Sequence, residues 1–188
     1  MKSLLRILPL FSLLFICCQN NKLDNRTAES MIVKKYQFPQ EIDFEVFCND
    51  PVHAQKMLDS GLEEKGFVEI IKVKGCKNRD KPLIEFTDSA KPFLLETTAE
   101  EQEYKIQKVK IGLKKFGQII QITAETNDKK MAVVDYIVQN EINEFGVLWP
   151  GLPEEKKENA YFILSDNGWK IIDKKDAELM MFKKIIEY

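Results

Sequence analysis

Histidine is almost absent from this chain of 188 residues, since His53 is the only one. A single histidine excludes histidine-rich metal sites and any catalytic pair of histidines. The sequence also lacks a P-loop, a glycine-rich dinucleotide-binding turn, a nucleophile elbow and a calcium-binding loop. The usual signatures of nucleotide, metal and hydrolytic chemistry are missing, so we expect a protein that has no cofactor and no metal and is not an enzyme.

An excess of basic residues is missing as well. The 28 lysines and arginines are outnumbered by 30 aspartates and glutamates, which gives a formal net charge of -2 at pH 7. Both signs are interspersed along the chain, whereas a surface that neutralises nucleic-acid phosphates is normally basic. We therefore expect an ordinary globular domain after Ser30 that binds no nucleic acid.

Few residues remain as candidates for catalysis. Cys48 and His53 are five positions apart, a spacing that does not place them on a common helical face, so an exposed helix histidine is favoured over a nucleophile–base dyad. Asp135, Glu141 and Glu144 could meet in a sheet as paired carboxylates. Acidic residues at these spacings are more typical of a solvated strand face, and we name no catalytic residue.

The first eighteen residues have a composition of their own. Lys2 and Arg6 precede an apolar run from Ile7 to Ile16, which ends at the adjacent Cys17 and Cys18. The run is too short for a stable transmembrane anchor. A positive start, a short apolar segment and a cysteine in place of a small-residue cleavage site resemble the signal peptide of bacterial lipoproteins.

This resemblance implies a signal peptide at residues 1–17, a lipid-modified cysteine at the start of the mature chain and a polar tether at residues 18–30. Leu14 fits the lipoprotein cleavage pattern for modification of Cys17, and the small Cys17 fits it for modification of Cys18. We favour Cys18 as the lipidated residue. The alternatives are an uncleaved apolar helix that anchors the chain and a plain secretory signal with incidental cysteines.

A lipid on Cys18 would hold the protein on a membrane of the bacterial cell envelope, at the outer membrane or periplasmic face rather than in the cytoplasm. Its partner would then be an envelope protein. The leader carries two positive charges and no acidic residue, so its removal changes the formal net charge from -2 to -4.

Cys48 and Cys76 form an even pair in a compartment that can oxidise them. A disulfide between them would close a loop of about 29 residues and stabilise the fold by about 3–4 kcal/mol on the chain-entropy account. The alternative is two separate buried thiols that behave as small apolar side chains.

Hydrophobic periodicity and turn residues predict the elements of the first half of the chain. The expected elements are a helix over Thr27–Tyr36, a strand through Ile42, Phe44 and Val46, a helix from Pro51 to about Lys65, a hairpin of Phe67–Val73 and Pro82–Phe86, and a short helical turn leading to Leu95. Asn49 or Asp50 caps the second helix, and Gly66 ends it.

The second half is expected to be an antiparallel meander followed by a helix. Its strands contain Ile106, Val109, Ile111 and Leu113, then Gln118–Glu125, Met131–Ile142, Tyr161–Leu164 and Trp169–Ile172, with Asp166-Asn167-Gly168 as the last turn. The helix Ala177–Tyr188 places Leu179, Phe182, Ile185 and Ile186 near one face. We assign residues 31–98 to a helix-plus-hairpin subdomain and residues 99–188 to a sheet subdomain with the C-terminal helix.

The expected fold class is α+β, a single small domain with an antiparallel sheet, an N-terminal helix and a wing-like hairpin. The segments LEEKGFVEI and PLIEFTDSAKPFLL resemble the helix and wing of winged-helix domains, although the strand at Ile42–Phe47 stands where those domains have a helix. The long strands and the NGWKII hairpin also resemble cystatin-like and nuclear-transport-factor-like cone folds. That alternative implies a pocket lined by Tyr136, Trp149 or Trp169.

One loop is a candidate for recognition. Phe145, Leu148 and Trp149 lie among glycines and prolines, where exposed apolar side chains would form a contact patch; alternatively, Trp149 plugs the end of the sheet. The C-terminal helix either docks on a partner or covers its own sheet. We interpret the chain as a lipid-anchored cell-envelope protein with a non-enzymatic binding or accessory role. The alternative is binding or processing of a small ligand in a cone-fold pocket.

Overall fold

The computed structural model describes residues 22–72, 81–124 and 130–186. Within these ranges the helices are α1 (Asn25–Tyr36), α2 (Pro51–Asp59), α3 (Ala99–Glu103) and α4 (Lys174–Ile186), and the strands are β1 (Gln40–Phe47), β2 (Val68–Ile70), β3 (Ile84–Phe86), β4 (Ile106–Ala124), β5 (Met131–Ile142), β6 (Glu155–Ser165) and β7 (Gly168–Ile172). Short 3-10 helices lie at Asp88–Phe93 and Glu144–Leu148. No helix in the described ranges is long and apolar enough to cross a membrane. The expected leader, Cys17 and Cys18 lie outside them.

The strands form one large and one small antiparallel sheet. The large sheet is curled and has the order β1-β4-β5-β6-β7, while β2 and β3 pair separately as the wing-like hairpin. These features confirm the α+β class, the antiparallel sheet and the N-terminal helix. The curled sheet is also consistent with the cone-like alternative.

The large sheet joins the two expected subdomains. β1 belongs to residues 31–98 and β4 to residues 99–188, yet the two strands pair from Phe47 opposite Ile106 to Gln40 opposite Lys114. A boundary at residue 98 would separate these paired strands. The described chain is therefore one domain, and the expected division does not separate two folded units.

The fold begins earlier than the expected tether allows. Asp24 caps α1, because its carboxylate accepts a hydrogen bond from the backbone N–H of Thr27 at 2.8 Å. Leu23 packs in the core and is only 4% exposed. A tether that reaches residue 30 is therefore wrong, because Leu23 and α1 already belong to the fold.

The helix α2 starts where the sequence predicts but ends earlier. The Asp50 carboxylate accepts a hydrogen bond from the Val52 N–H at 2.7 Å, and Pro51 is the first helical residue. The helix ends at Asp59 rather than near Lys65, because Gly61 adopts a φ of +72° that breaks the helical path.

The single strand β4, 19 residues long, replaces two expected strands. Its register against β5 shifts between Phe116 and Ile119 and again between Ile119 and Gln121. Such irregularities bend a strand and change which side chains face the core. The simple alternation that predicted two separate strands therefore fails in the middle of β4.

Both hydrophobic cores lie on the same inner face of the curled sheet, because directly opposite residues of antiparallel strands share a face. Ile42 of the first core lies opposite Gly112 on β4. Phe116 follows Gly112 by four residues on the same strand, so it lies on the same face, and it is opposite Val138 of the second core. The first core, with β1, the start of β4, α2 and the hairpin, includes Val46, Met57, Leu62, Val68, Ile84, Val109, Ile111, Phe145 and Leu148. The second core, with α1 and β5 to β7, includes Leu23, Ile32, Ala132, Val134, Tyr136, Val138, Ala160 and Phe162.

The C-terminal hairpin is confirmed, whereas the following helix differs from the expectation. Ser165 lies opposite Gly168 across Asp166 and Asn167, and Gly168 has a φ of +93°, a left-handed conformation that favours glycine. The helix α4 contacts β6 and buries Ala177. Leu179 and Phe182 are exposed, so this part of the expected apolar face does not cover the sheet.

Candidate binding site

A cleft of about 780 Å³ opens beside the first core, between β3, the 3-10 helix that follows it and the start of β4. Its lining is largely polar and of mixed charge, and includes Cys48, Glu69, Glu85, Asp88, Ser89, Lys105 and Gln107. Glu85 pairs with Lys81 at 2.9 Å, and the Gln107 amide donates to the backbone oxygens of Leu95 and Lys108. The cleft has the shape and polarity to admit a small polar ligand.

The Cys48 thiol is buried in the wall of this cleft. Burial raises the pKa of the thiol to about 11, and its Sγ lies 3.7 Å from the backbone oxygen of Val46. A thiol with this pKa is protonated at neutral pH and is a poor nucleophile. Its expected disulfide partner Cys76 lies outside the described residues, so the disulfide stays a prediction.

His53 has a structural position. Its Nδ1 accepts a hydrogen bond from the Phe47 N–H at 3.0 Å, and its ring packs against Phe44 and Phe47, with ring centroids 5.8 and 5.4 Å away. Because Nδ1 is the acceptor, the proton of the neutral imidazole is on Nε2. These contacts attach α2 to the edge strand β1, and Cys48 is not among the described partners of His53.

The three carboxylates considered as a cluster have separate partners. The ion pairs are Asp135 with Lys157 at 2.5 Å, Glu141 with Lys115 at 2.5 Å, and Glu144 with Lys65 at 3.0 Å. Each negative charge is thus balanced by its own lysine, and the described contacts give no pair of carboxylates that shares a proton.

Asp135 joins three strands. Gln121 on β4 and Asn159 on β6 lie directly opposite it in the register, and both donate hydrogen bonds to its carboxylate. Lys157 and these hydrogen bonds hold the pKa of Asp135 below its ordinary value, although burial opposes the shift. The carboxylate therefore stays ionised, as a link across the sheet.

A polar group that we call the Glu158 cluster (Lys114, Tyr136, Lys156 and Glu158) lies on the inner face of the sheet. The Tyr136 hydroxyl donates to Glu158 at 3.2 Å, while Lys114 and Lys156 pair with it at 3.1 and 3.3 Å. Partial burial acts to raise the pKa of Glu158, but the two lysines outweigh it and hold that pKa below its ordinary value. Burial raises the pKa of Tyr136, which keeps its hydroxyl protonated.

The sequence did not predict the Glu158 cluster. It pointed instead to a pocket lined by Tyr136, Trp149 or Trp169. Tyr136 is buried and stacked between Tyr36 and Phe116, with ring centroids 6.5 and 5.8 Å away. Trp169 packs against the second core, whereas Trp149 is exposed elsewhere. Of the three aromatic residues named as alternatives for a pocket lining, Tyr136 and Trp169 both pack in the second core, and Trp149 does not join them.

The expected contact patch is wrong for two of its three residues. Phe145 and Leu148 are buried in the first core, because the 3-10 helix Glu144–Leu148 directs them inward. Trp149 is 48% exposed, and two other apolar side chains nearby, Ile142 and Val147, are each 41% exposed. We call Ile142, Val147 and Trp149 the Trp149 patch.

Gly146 lies between Ile142 and the backbone of Trp149, two members of this patch. A Cβ on Gly146 would lie 1.8 Å from Cγ2 of Ile142, so the Ile142 side chain packs directly on the glycine. The backbone oxygen of Gly146 accepts a hydrogen bond from the Trp149 N–H at 2.9 Å. The composition of the loop pointed to this region, but only the turn geometry shows which side chains face outward.

Among the residues that the structure describes, no group of three or more histidine, cysteine, aspartate or glutamate side chains is placed to hold a metal ion. Comparison with protein-family models, with curated proteins and with solved structures found no significant match to this chain. Its function must therefore be inferred from its own residues.

Proposed function

We propose that this protein is lipid-anchored at Cys18 in the bacterial cell envelope and binds a partner there without catalysing a reaction. The resemblance of residues 1–17 to a lipoprotein signal peptide supports the anchor. The early start of the fold at Leu23 supports a close attachment. The five residues from Cys18 to Leu23 span at most about 17 Å when extended, which would keep the domain near the membrane.

The Trp149 patch is the observation that carries the binding role. Its turn is fixed by Asn143, whose side-chain oxygen accepts from the Phe145 N–H at 2.9 Å and whose amide donates to the Lys110 oxygen at 2.7 Å. A preorganised turn loses little conformational entropy when an aromatic side chain on it is buried by a partner. Exposed tryptophan on such a turn is typical of a binding hot spot.

The location of the patch favours a protein partner over the anchoring membrane. Leu23 belongs to the second core, to which β5 contributes Ala132, Val134, Tyr136 and Val138, whereas the patch begins at Ile142, the last residue of that strand. Ten residues of strand separate Ala132 from Ile142, which is about 33 Å along β5. A domain anchored beside Leu23 would therefore present the patch at its far end, to another envelope protein.

The anchor is tested by incorporation of labelled fatty acid and by membrane fractionation. We expect the unmodified protein and its Cys17→Ser variant to carry label and to sediment with membranes, because a small residue before the modified cysteine is retained. The Cys18→Ser variant should lose both properties. Label on Cys18→Ser but not on Cys17→Ser would instead place the lipid on Cys17, and an unlabelled wild type would refute the anchor.

The patch is tested by a photo-crosslinking amino acid placed at position 149 in cells. Position 52 is the matched control, because Val52 is also apolar and is 71% exposed, but on α2. We expect a discrete adduct with an envelope protein from position 149 alone, which the added Val147→Asp change abolishes. The same adducts from both positions, or none from position 149, would contradict a binding role for the patch.

The cleft beside Cys48 favours small-ligand binding as a second candidate function. Ser89 lines it without contributing to either core. Screening of small polar compounds by thermal shift should then give ligands whose effect is lost in the Ser89→Trp variant, which fills the cleft. Ligands that stabilise both proteins equally would bind elsewhere and count against this function.

A further inference from the structure

The helix α4 has apolar side chains on two opposite sides. Ala177 is buried against the domain, while Leu179 is 51% exposed and Phe182 is 64% exposed. At 100° per residue, Leu179 and Phe182 lie within about 60° of each other and roughly opposite Ala177. The helix therefore presents an apolar stripe outward that the domain leaves uncovered in its described residues.

Lysines surround this stripe. The sequence of α4 contains four lysines and two acidic residues, a net charge of +2 in a chain whose total is -2. Lys175 lies one turn before Leu179 on the same side, and Lys183 follows Phe182 directly. Long lysine side chains beside an apolar stripe suit the boundary between lipid acyl chains and anionic headgroups.

The helix α4 lies on the same side of the sheet as part of α1, the first helix after the expected anchor. Only Asp173 separates α4 from the edge strand β7, and α4 contacts β6. The helix α1 also contacts β7, and Leu23, at the start of α1, belongs to the second core against which Trp169 and Ile171 of β7 pack. The first helix after the expected anchor and α4 thus both contact the β6–β7 side of the sheet, whereas the Trp149 patch follows the end of β5.

We propose that α4 is a second membrane contact, whose outer stripe of Leu179 and Phe182 lies in the surface of an anionic bilayer with Lys175 and Lys183 against the lipid phosphates. This inference rests on the proposed lipid anchor, which brings the membrane within reach of the helix. The anchor alone leaves the domain free to rotate on its short tether. The additional contact fixes the orientation in which the Trp149 patch is presented.

The test uses the unlipidated chain from residue 18, with Cys18→Ser, so that binding depends on α4 alone. The second core starts at Leu23 and the first core at Ile42, so neither core loses a residue in this protein. It should float with vesicles that contain phosphatidylglycerol and stay unbound with pure phosphatidylcholine. Leu179→Gln with Phe182→Gln should weaken binding about tenfold, and Lys175→Gln or Lys183→Gln about fivefold each.

Val52→Gln is the matched control, since it removes an exposed apolar side chain on α2 and should leave binding unchanged. Equal binding of the α4 variants and the parent, or no flotation with anionic vesicles, would overturn the proposal. Oligomerisation that Phe182→Gln abolishes, without vesicle binding, would assign the stripe to a protein contact and overturn it as well. None of these results depends on fatty-acid labelling, so failure of α4 and failure of the anchor are distinguishable.

Discussion

At the scale of single residues, two helix ends carry backbone strain. Among the described residues, Gln37 with a φ of +54° and Lys105 with a φ of +57° are left-handed without being glycine. Gln37 follows the end of α1, and Lys105 follows Tyr104, the C-cap of α3. Glycine is usual at such positions because a Cβ costs on the order of 1 kcal/mol there.

Replacement of Lys105 by glycine should stabilise the protein. The change relieves the Cβ strain and keeps the hydrogen bond from the Cys48 N–H to the oxygen of residue 105, which is 2.8 Å long. We expect Lys105→Gly to raise the free energy of unfolding by about 0.5–1 kcal/mol in urea denaturation. Tyr104→Gly, at an ordinary φ of -80°, should lower it. A loss of stability in both variants would contradict this account.

Asp135 gives a prediction that depends on pH. Asp135→Asn should lower the free energy of unfolding by about 1–3 kcal/mol at pH 7, because it weakens charged hydrogen bonds at a buried position. The pKa of Asp135 in the folded protein is lowered, so its contribution is present in full above the ordinary aspartate pKa of about 3.9. It is lost as the pH falls through the lower, folded-state value.

Urea denaturation at several pH values checks this prediction. The difference between wild type and Asp135→Asn should be constant above about pH 5 and should shrink below about pH 4. Asp88→Asn is the control, because the Asp88 side chain is 91% exposed and its pair with Lys91 is a surface pair that contributes little. A difference that grows as the pH falls would reverse the sign and refute the assignment.

At the scale of elements, the start of α2 and the tightest turn were predictable from local chemistry. Asp50 and Pro51 set the start of α2, and Asp166-Asn167-Gly168 sets the last hairpin, because side-chain caps and positive φ act within a few residues. The end of α2 depended on which of two glycines breaks the helix. Gly61 does so before Gly66, and periodicity does not distinguish them.

The strand β4 and the candidate site show what local patterns miss. The bulges near Phe116 arise from pairing with β5, and the Glu158 cluster arises from register between β4, β5 and β6. A sequence without pairing information contains neither. For the Trp149 patch, glycines and prolines marked the loop, but the burial of Phe145 and Leu148 follows from how the 3-10 helix packs on the first core.

Gly112 tests the close approach of β4 and β5. A Cβ at this position would lie 2.5 Å from the backbone oxygen of Glu141, which cannot move without breaking the pairing. We expect Gly112→Ala to lower the free energy of unfolding by about 1–3 kcal/mol. Gly151→Ala, where no atom lies within 4 Å of the added Cβ, should change it by less than about 0.5 kcal/mol. Similar stabilities for the two variants would contradict the observed register.

At the scale of the whole molecule, β4 connects the two cores. Its first half contributes Val109 and Ile111 to the first core, and its second half packs Phe116 and Ile119 against the second. β4 pairs with β1 over residues 106–114 and with β5 over residues 112–124, so the two pairings overlap at residues 112–114 and share one continuous strand. Loss of one core would free hydrogen bonds in this overlap that also support the other. We therefore expect the described domain to unfold as one cooperative unit.

The two tryptophans report on this cooperativity separately. Trp149 adjoins the first core, next to Leu148, and Trp169 packs against the second. In the single-tryptophan variants Trp169→Phe and Trp149→Phe, the fluorescence midpoint in urea should coincide with the midpoint of circular dichroism for the same protein. Each variant serves as its own reference, so a change in stability caused by the substitution does not affect the comparison. Two separated midpoints would show that the halves unfold independently and would restore a boundary near residue 98. Coincident midpoints mean that both cores unfold together, so a partner bound at the Trp149 patch stabilises the second core as well.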